Sequence, residues 1–188
     1  GAAGVVSLTE LAAQEIREKK FGPWPAGKPV QVIPTCVDYG EFGLGGPGDA
    51  RGISKGLAKR LQASLVVGFV GAVSPTYCVE ESIALFDELR RQRPDAHLLC
   101  LTRNPPALLS IFKRRGIPQE CYTVRTVAHD EIAAGLPYMD WGLLLRREAP
   151  SHRAAMPTKL AEFFASGVRP IQWACNQEVR QWVERAGG

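Results

Sequence analysis

The 188-residue sequence lacks several features that would define its class at once. It has no apolar run of the roughly 18 residues that spanning a bilayer requires, and it does not begin with the basic-then-apolar pattern of a signal peptide. Its five scattered cysteines include no Cys-x-x-Cys pair, which argues against a disulfide framework or a zinc site and favours a cytoplasmic protein. It has no dense Lys/Arg run, so its net charge of +4 fits a small anionic ligand and not a nucleic acid.

The histidines are equally uninformative about metals. His97, His129 and His152 share no metal-binding spacing, so neither a metal ion nor a cofactor is expected. His97 opens a predicted strand and is interpreted as structural. The acidic pairs at 80–81 and 87–88 lie on one amphipathic segment and are interpreted as a solvated helix face.

Short β-rich apolar runs alternate with amphipathic segments along nearly the whole chain. This alternation predicts βα units and an α/β fold, a Rossmann-like parallel sheet with helices on both faces. The length allows one domain plus an appendage. The predicted strands are 5–8, 30–33, 65–70, 97–101, 122–125, 141–145 and 168–172; the predicted helices are 10–20, 51–62, 79–91, 106–115, 130–136, 158–166 and 177–185.

A glycine- and proline-containing stretch at 34–49 separates the first two predicted strands from the others. We place the domain boundary there. The glycines at 40–46 do not lie between a strand and a helix, as a dinucleotide-binding Gly-x-Gly-x-x-Gly motif requires, so this part is interpreted as a flexible linker.

The loop at 146–156 carries three arginines and leads into a helix that begins near Pro157. A helix amino terminus presents unpaired N–H groups and a partial positive charge, and Lys159 adds a full charge, so this turn is suited to phosphate. Glu162 lies three residues further on and is placed to accept hydrogen bonds from two ribose hydroxyls. The alternative is an ordinary surface ion pair between Lys159 and Glu162.

Several motifs, in order, resemble the group 1 (family 4-like) glycosyltransferases. The stretch PTKLAEFFASGVRPI at 157–171 is the most specific. The others are VIPTCVD at 32–38 followed by Phe42, FVG at 69–71 followed by Tyr77, the strand at 98–102, and MDWGL at 139–143.

The resemblance implies a GT-B architecture, in which two Rossmann-like domains face a cleft. Residues 1–45 resemble the strand–helix–strand end of the N-terminal domain plus a linker. Residues 46–188 resemble the C-terminal, nucleotide-sugar-binding domain, truncated at its C-terminus. The implied reaction is retaining, metal-independent transfer of a hexosyl group from a nucleotide diphosphate sugar. The acceptor would bind through the missing N-terminal domain, so this fragment alone is expected to be inactive.

The resemblance also implies roles for individual residues. Lys159 and Glu162 would act in catalysis, with Glu162 on the ribose and Lys159 at the diphosphate. The remaining substrate-binding residues are predicted to be Gly71 and Tyr77 at the phosphates and sugar, Pro157 and Thr158 at the diphosphate, Thr102 and Val127 near the base, and Arg146 and Arg153 as added cations.

Two departures from the family pattern qualify these roles. Many members have a glutamate eight residues before the position of Glu162, where this chain has Ala154, and many have an Arg and a Lys in the loop that here spans 71–77 without a cation. Our hypothesis is that Arg146, Arg147 and Arg153 supply part of the missing charge. A non-catalytic nucleotide-binding or interaction module and a flavodoxin-like signalling domain remain alternatives. Residues 1–45 are expected either to pack against the second domain or to mediate self-association.

Overall fold

Two parallel β-sheets organise the chain in the computed structural model, which describes residues 2–18, 20, 22–25, 27–43, 53–173 and 176–186. The smaller sheet pairs β1 (Val5–Ser7) with β2 (Val30–Val32). The larger sheet contains β3 (Leu65–Val70), β4 (Ala96–Leu101), β5 (Tyr122–Arg125), β6 (Trp141–Leu143) and β7 (Arg169–Ile171).

The strand order of the larger sheet is β5-β4-β3-β6-β7, and every pairing is parallel. The chain moves outward from β3 to β5, then returns to the other side of β3 with β6. This reversal makes the β3–β6 boundary the topological switch point, where loops diverge and leave a crevice at the carboxyl ends of the strands.

Helices cover both faces of the larger sheet, as the sequence predicts. Alternate side chains of β3 enter different cores: Val66 and Val70 pack on one face, and Val67 and Phe69 on the other. Among the described residues, no helix combines the length and the apolar character that crossing a bilayer requires. The helices are α1 (Glu10–Arg17), α2 (Tyr39–Phe42), α3 (Lys55–Gln62), α4 (Val79–Gln92), α5 (Pro105–Arg115), α6 (His129–Gly135), α7 (Pro150–Arg153), α8 (Thr158–Ala165) and α9 (Gln177–Arg185).

Part of the stretch interpreted as a flexible linker is helical. Asp38 caps α2 by accepting a hydrogen bond from the Gly40 amide at 2.7 Å, and Phe42 is buried in the core. The interpretation is wrong for this turn because the aromatic ring anchors it. Residues 44–46 of the same stretch lie outside the described residues.

The interpretation of Asp87 as part of a solvated face is also wrong. Asp87 is only 6% exposed, and its carboxylate pairs with Arg90 at 2.6 Å and Arg91 at 2.7 Å. The two arginines lie three and four residues further along α4, where side chains share a face, so they compensate the buried charge.

His97 has the structural role that the sequence predicts. It is buried in β4, and its Nε2 lies 2.9 Å from the Thr123 hydroxyl on the neighbouring strand. Burial lowers the pKa of the imidazole, and the charge of Arg60 lowers it further.

The β1–α1–β2 unit packs against the rest of the chain. Its Thr9 hydroxyl accepts a hydrogen bond from the Ala12 amide, so Thr9 is the N-cap that starts α1. The Glu178 carboxylate of α9 accepts hydrogen bonds from the backbone amides of Glu10 at 2.9 Å and Leu11 at 3.2 Å. Packing, one of the two alternatives for residues 1–45, is therefore present.

Candidate functional site

The candidate site lies at the switch point between β3 and β6. Gly71 follows β3 directly, and Arg146 lies in the loop after β6. Helix α8 begins beside them, at the end of that same loop. The fold thus brings the end of β3 next to a loop and a helix start that come much later in the sequence.

Gly71 and Lys159 are in close approach. Gly71 has a φ of +133°, and a Cβ placed on it would lie 2.8 Å from Cε of Lys159 and 3.1 Å from its Nζ. This backbone conformation favours glycine, and the absence of a side chain leaves room for the lysine that crosses it. Lys159 in the first turn of α8 therefore extends over the carboxyl end of β3.

The Tyr77 ring lies between two cations. Its centroid is 5.7 Å from Nζ of Lys159 and 5.9 Å from Cζ of Arg146, at the outer limit of a cation–π contact. Tyr77 ends the short 3₁₀ turn Pro75–Tyr77, and Cys78 follows with a φ of 45°. The turn places the ring over the crevice.

Arg146 and Arg147 have different functions in the same loop. Nε of Arg146 is buried and makes no hydrogen bond to the described residues, so it keeps a donor for another partner. The Arg147 amide donates to the Thr76 carbonyl at 2.8 Å, and its Nε donates to the Pro75 carbonyl at 3.3 Å. Arg147 thus fixes the turn that carries Tyr77, a function that the sequence does not signal.

The structure does not bring Arg153 to this cluster. Its guanidinium pairs with Glu148 at 2.9 Å, and both side chains are exposed. Arg153 instead lines a separate pocket of about 370 Å³ beside Gln14 and Gln181. Its predicted contribution to the missing charge is therefore offset by a neighbouring carboxylate.

The amino terminus of α8 has the form expected for an anion site. Pro157 is the N-cap residue, and no side chain caps the helix there. Thr158 is exposed, whereas Glu162 is buried and only 3% exposed. The alternative of a surface ion pair between Lys159 and Glu162 is wrong, because the carboxylate does not lie on the surface.

Thr102 and Val127 lie beyond β4 and β5, on the opposite side of β3 from Arg146. The Thr102 side chain is buried, and its hydroxyl accepts a hydrogen bond from the Asn104 amide at 3.2 Å. Val127 is half-buried against the core. Both residues are at the carboxyl edge of the sheet, and their contact with a base stays a prediction.

A narrow cavity adjoins the cluster. Arg146, His152, Pro157 and Asn176 line it, and its volume of about 20 Å³ is enough for one water molecule. Among the described residues, no three His, Cys, Asp or Glu side chains lie close enough together to hold a metal ion.

No family model matches the sequence, and no curated protein matches it either. Solved structures do match the fold. WaaG, a glycosyltransferase involved in lipopolysaccharide biosynthesis, superposes with a TM-score of 0.69 at 15% identity, over 97% of this chain and 47% of WaaG. The chain has the Rossmann-like α/β fold of GT-B glycosyltransferases such as WaaG, over about half of the length of WaaG.

Two other GT-B glycosyltransferases agree with this fold. HepE from Anabaena, solved with UDP and glucose, has a TM-score of 0.62 at 14% identity, over 99% of this chain and 53% of HepE. The C-terminal domain of a group 1 glycosyltransferase (LpcC) from Francisella tularensis has a TM-score of 0.53 at 15% identity, over 80% of this chain and 86% of that domain. The chain spans about half the length of WaaG and of HepE.

Proposed function

We propose that this chain holds the nucleotide diphosphate sugar of a glycosyltransferase at the switch-point cluster Gly71, Tyr77, Arg146 and Lys159. The observation that carries the proposal is the crossing of Lys159 over Gly71 at the carboxyl end of β3. Three groups at this place would attract an anion. They are the Lys159 amine, the uncapped amino terminus of α8 and the buried Nε donor of Arg146. HepE, which has the same fold, was solved in complex with UDP and glucose.

In the proposed reaction, Lys159 and Arg146 stabilise negative charge as it grows on the departing diphosphate. Such preorganised cations lower the barrier because they are in place before charge develops. The transfer is proposed to retain configuration, to need no metal ion and to involve a hexosyl group. The acceptor is proposed to bind through a second domain, to which residues 1–45 belong, and transfer is proposed to require both domains.

The role proposed for Glu162 requires the ligand to enter the crevice more deeply than contact with Lys159 does. Its carboxylate is proposed to accept hydrogen bonds from the ribose hydroxyls, one turn below Lys159. Because the side chain is only 3% exposed, the nucleoside has to enter the crevice deeply to reach it. The proposal therefore depends on Lys159 first and on Glu162 second.

Calorimetry of the chain with UDP, GDP, dTDP and CMP tests the proposal. We expect one nucleotide to bind, and Lys159→Ala to weaken it about tenfold or more, as loss of a charge-assisted contact does. Lys113→Ala is the matched control, because Lys113 is an exposed lysine near the end of α5. Binding of none of the four nucleotides would contradict the proposal and favour a non-catalytic module.

We further propose that residues 1–45 support self-association. Val6 in β1 is 63% exposed, and Leu8 and Ile33, which follow β1 and β2 directly, are 45% and 47% exposed. Exposed apolar strands with open edges favour pairing with another copy. Sedimentation analysis should show a concentration-dependent dimer that Val6→Lys with Leu8→Lys weakens, and a monomer at every concentration would exclude it.

A further inference from the structure

Asn176 holds the segment that leads into α8. We call residues 152–156 the approach segment. The Asn176 side-chain amide donates hydrogen bonds to two of its carbonyls, His152 at 2.9 Å and Ala155 at 2.7 Å. The side-chain oxygen of Asn176 accepts from the Val179 amide at 3.0 Å and so caps α9. One buried side chain therefore starts a helix and fixes a loop.

Two threonines of the β1–α1–β2 unit hold the same segment from the other side. The Thr9 hydroxyl donates to the Ala154 carbonyl, and the Thr35 hydroxyl donates to the Met156 carbonyl, both at 2.9 Å. Thr9 combines two functions in the same way as Asn176, since it also caps α1. Side chains from two separate parts of the chain thus hold four carbonyls of the approach segment.

The approach segment has little regular structure of its own to fix it. It contains only the end of the four-residue helix α7, and the helix that it enters has no side-chain cap. Burial of Met156 in the core and a hydrogen bond from the Ala155 amide to the His152 carbonyl at 3.3 Å also hold it. The three polar side chains fix the rest of its course. The last residue that they hold, Met156, precedes Pro157 and lies three residues before Lys159.

We propose that Thr9, Thr35 and Asn176 are positioning residues, which set the approach segment and thereby hold Lys159 over Gly71. Docking of the β1–α1–β2 unit then raises ligand affinity at the switch point, although neither threonine lines the cavity beside the cluster. The ligand in this inference rests on the proposed function; the ordering of the approach segment does not. A small shift of a binding group is known to lower affinity or rate considerably, which makes such remote hydrogen bonds matter.

Two near-isosteric variants isolate the loop bonds. Asn176→Asp keeps the oxygen that caps α9 and removes the two N–H donors, and Thr35→Val removes one hydroxyl with little change in shape. Ser54→Ala is the matched control, because it removes the N-cap of α3, where the Ser54 hydroxyl accepts from the Leu57 amide at 3.2 Å, and leaves the approach segment untouched.

Hydrogen exchange without ligand gives the first measurement. We expect amides in 152–160 to exchange roughly fivefold faster or more in Asn176→Asp and Thr35→Val, and at the wild-type rate in Ser54→Ala. Calorimetry with the same four nucleotides gives the second, with affinity roughly three- to tenfold weaker in both loop variants and unchanged in the control. Thr9→Ser should keep the wild-type exchange rate and affinity, whereas Thr9→Val should exchange faster at 152–160 and bind more weakly.

The outcomes separate the inference from the proposed function. Wild-type exchange at 152–160 in Thr35→Val overturns the inference, whatever the nucleotide results. Faster exchange with unchanged affinity also overturns it, because the residues would then order the loop without positioning a binding group. If wild type binds none of the nucleotides, the proposed function fails and exchange alone decides. If Asn176→Asp does not fold, Thr35→Val decides.

Discussion

The two parallel sheets of this chain are stabilised in different ways. In the larger sheet, every residue of β4 is buried, and so is all of β3 after Leu65, with helices packed on both faces. In the smaller sheet, one face is covered by α1 while Val6 on the other remains exposed. Polar side chains such as Glu178, Thr9 and Thr35 tie the smaller unit down. Burial of apolar side chains stabilises the larger sheet, whereas hydrogen bonds hold the smaller sheet in its position.

The largest effect should come from the core of the larger sheet. Phe86 in α4 is fully buried, so Phe86→Ala should lower the free energy of unfolding by about 3–5 kcal/mol. Val6→Ala in the smaller sheet should change it by less than about 0.5 kcal/mol because Val6 is exposed. Urea unfolding measures both. Equal losses in the two variants would mean that the sheets do not differ as described.

Gly71→Ala should have the next largest effect. The added methyl group meets Lys159 in a backbone conformation that is strained for alanine, and we expect a loss of about 1–3 kcal/mol. Gly56→Ala is the control, since no atom lies within 4 Å of its added Cβ and its φ is not positive. That change should stabilise α3 by up to about 1 kcal/mol. Thermal unfolding measures both changes, and a Gly71→Ala protein as stable as wild type would contradict the strained conformation at Gly71.

Glu178→Ala should loosen the smaller sheet alone. It removes the carboxylate that pairs with two amides at the start of α1, which we expect to cost about 1 kcal/mol. Glu184→Ala on the same helix removes only an exposed pair with Arg180 and should cost less than about 0.5 kcal/mol. Hydrogen exchange should rise in residues 5–17 of the first variant and stay unchanged in the larger sheet. Uniform acceleration across both sheets would refute separate stabilisation.

Lowering the pH should destabilise the larger sheet first, and this is the smallest of the four predicted effects. His97 is buried there with a lowered pKa, so the unfolded chain binds its proton more readily than the folded chain does. Stability contributed by the neutral ring is present above the unfolded pKa and is lost as pH falls through the folded pKa. The smaller sheet contains no histidine. His97→Gln should flatten the decline in unfolding free energy below about pH 6.5, and an unchanged slope would assign that decline to other groups.

The sequence predicts regular elements better than it predicts contacts. The strands at 65–70 and 122–125 and the helix at 177–185 agree with the structure at both ends, because apolar runs and turn residues mark them locally. The strand at 141–145 is shorter in the structure, ending at Leu143. Leu144 and Leu145 are still buried, so an apolar run does not reveal where strand pairing stops.

The candidate site is only partly predictable from the sequence, because local patterns do not reveal contacts between distant segments. Gly71, Tyr77 and Lys159 are predicted from motifs, and Arg146 from its place in the loop before Pro157. The structure brings the four together. Arg153 is predicted with them, yet it pairs with Glu148 and lines a different pocket. The sequence marks Thr9 as a helix N-cap and Thr35 as part of the VIPTCVD motif. It gives no signal that these two residues and Asn176 hold the approach segment, because that contact is long-range.

The sequence by itself determined the alternation of strands and helices, the buried central strand, and a helix that begins with a lysine in its first turn. Only the tertiary structure decided that Lys159 crosses Gly71, that Glu162 and Asp87 are buried, and that Thr9, Thr35 and Asn176 hold the approach segment. The physical reason is that periodicity and capping act over a few neighbouring residues, whereas these contacts join segments that meet only after the sheet has brought their ends together.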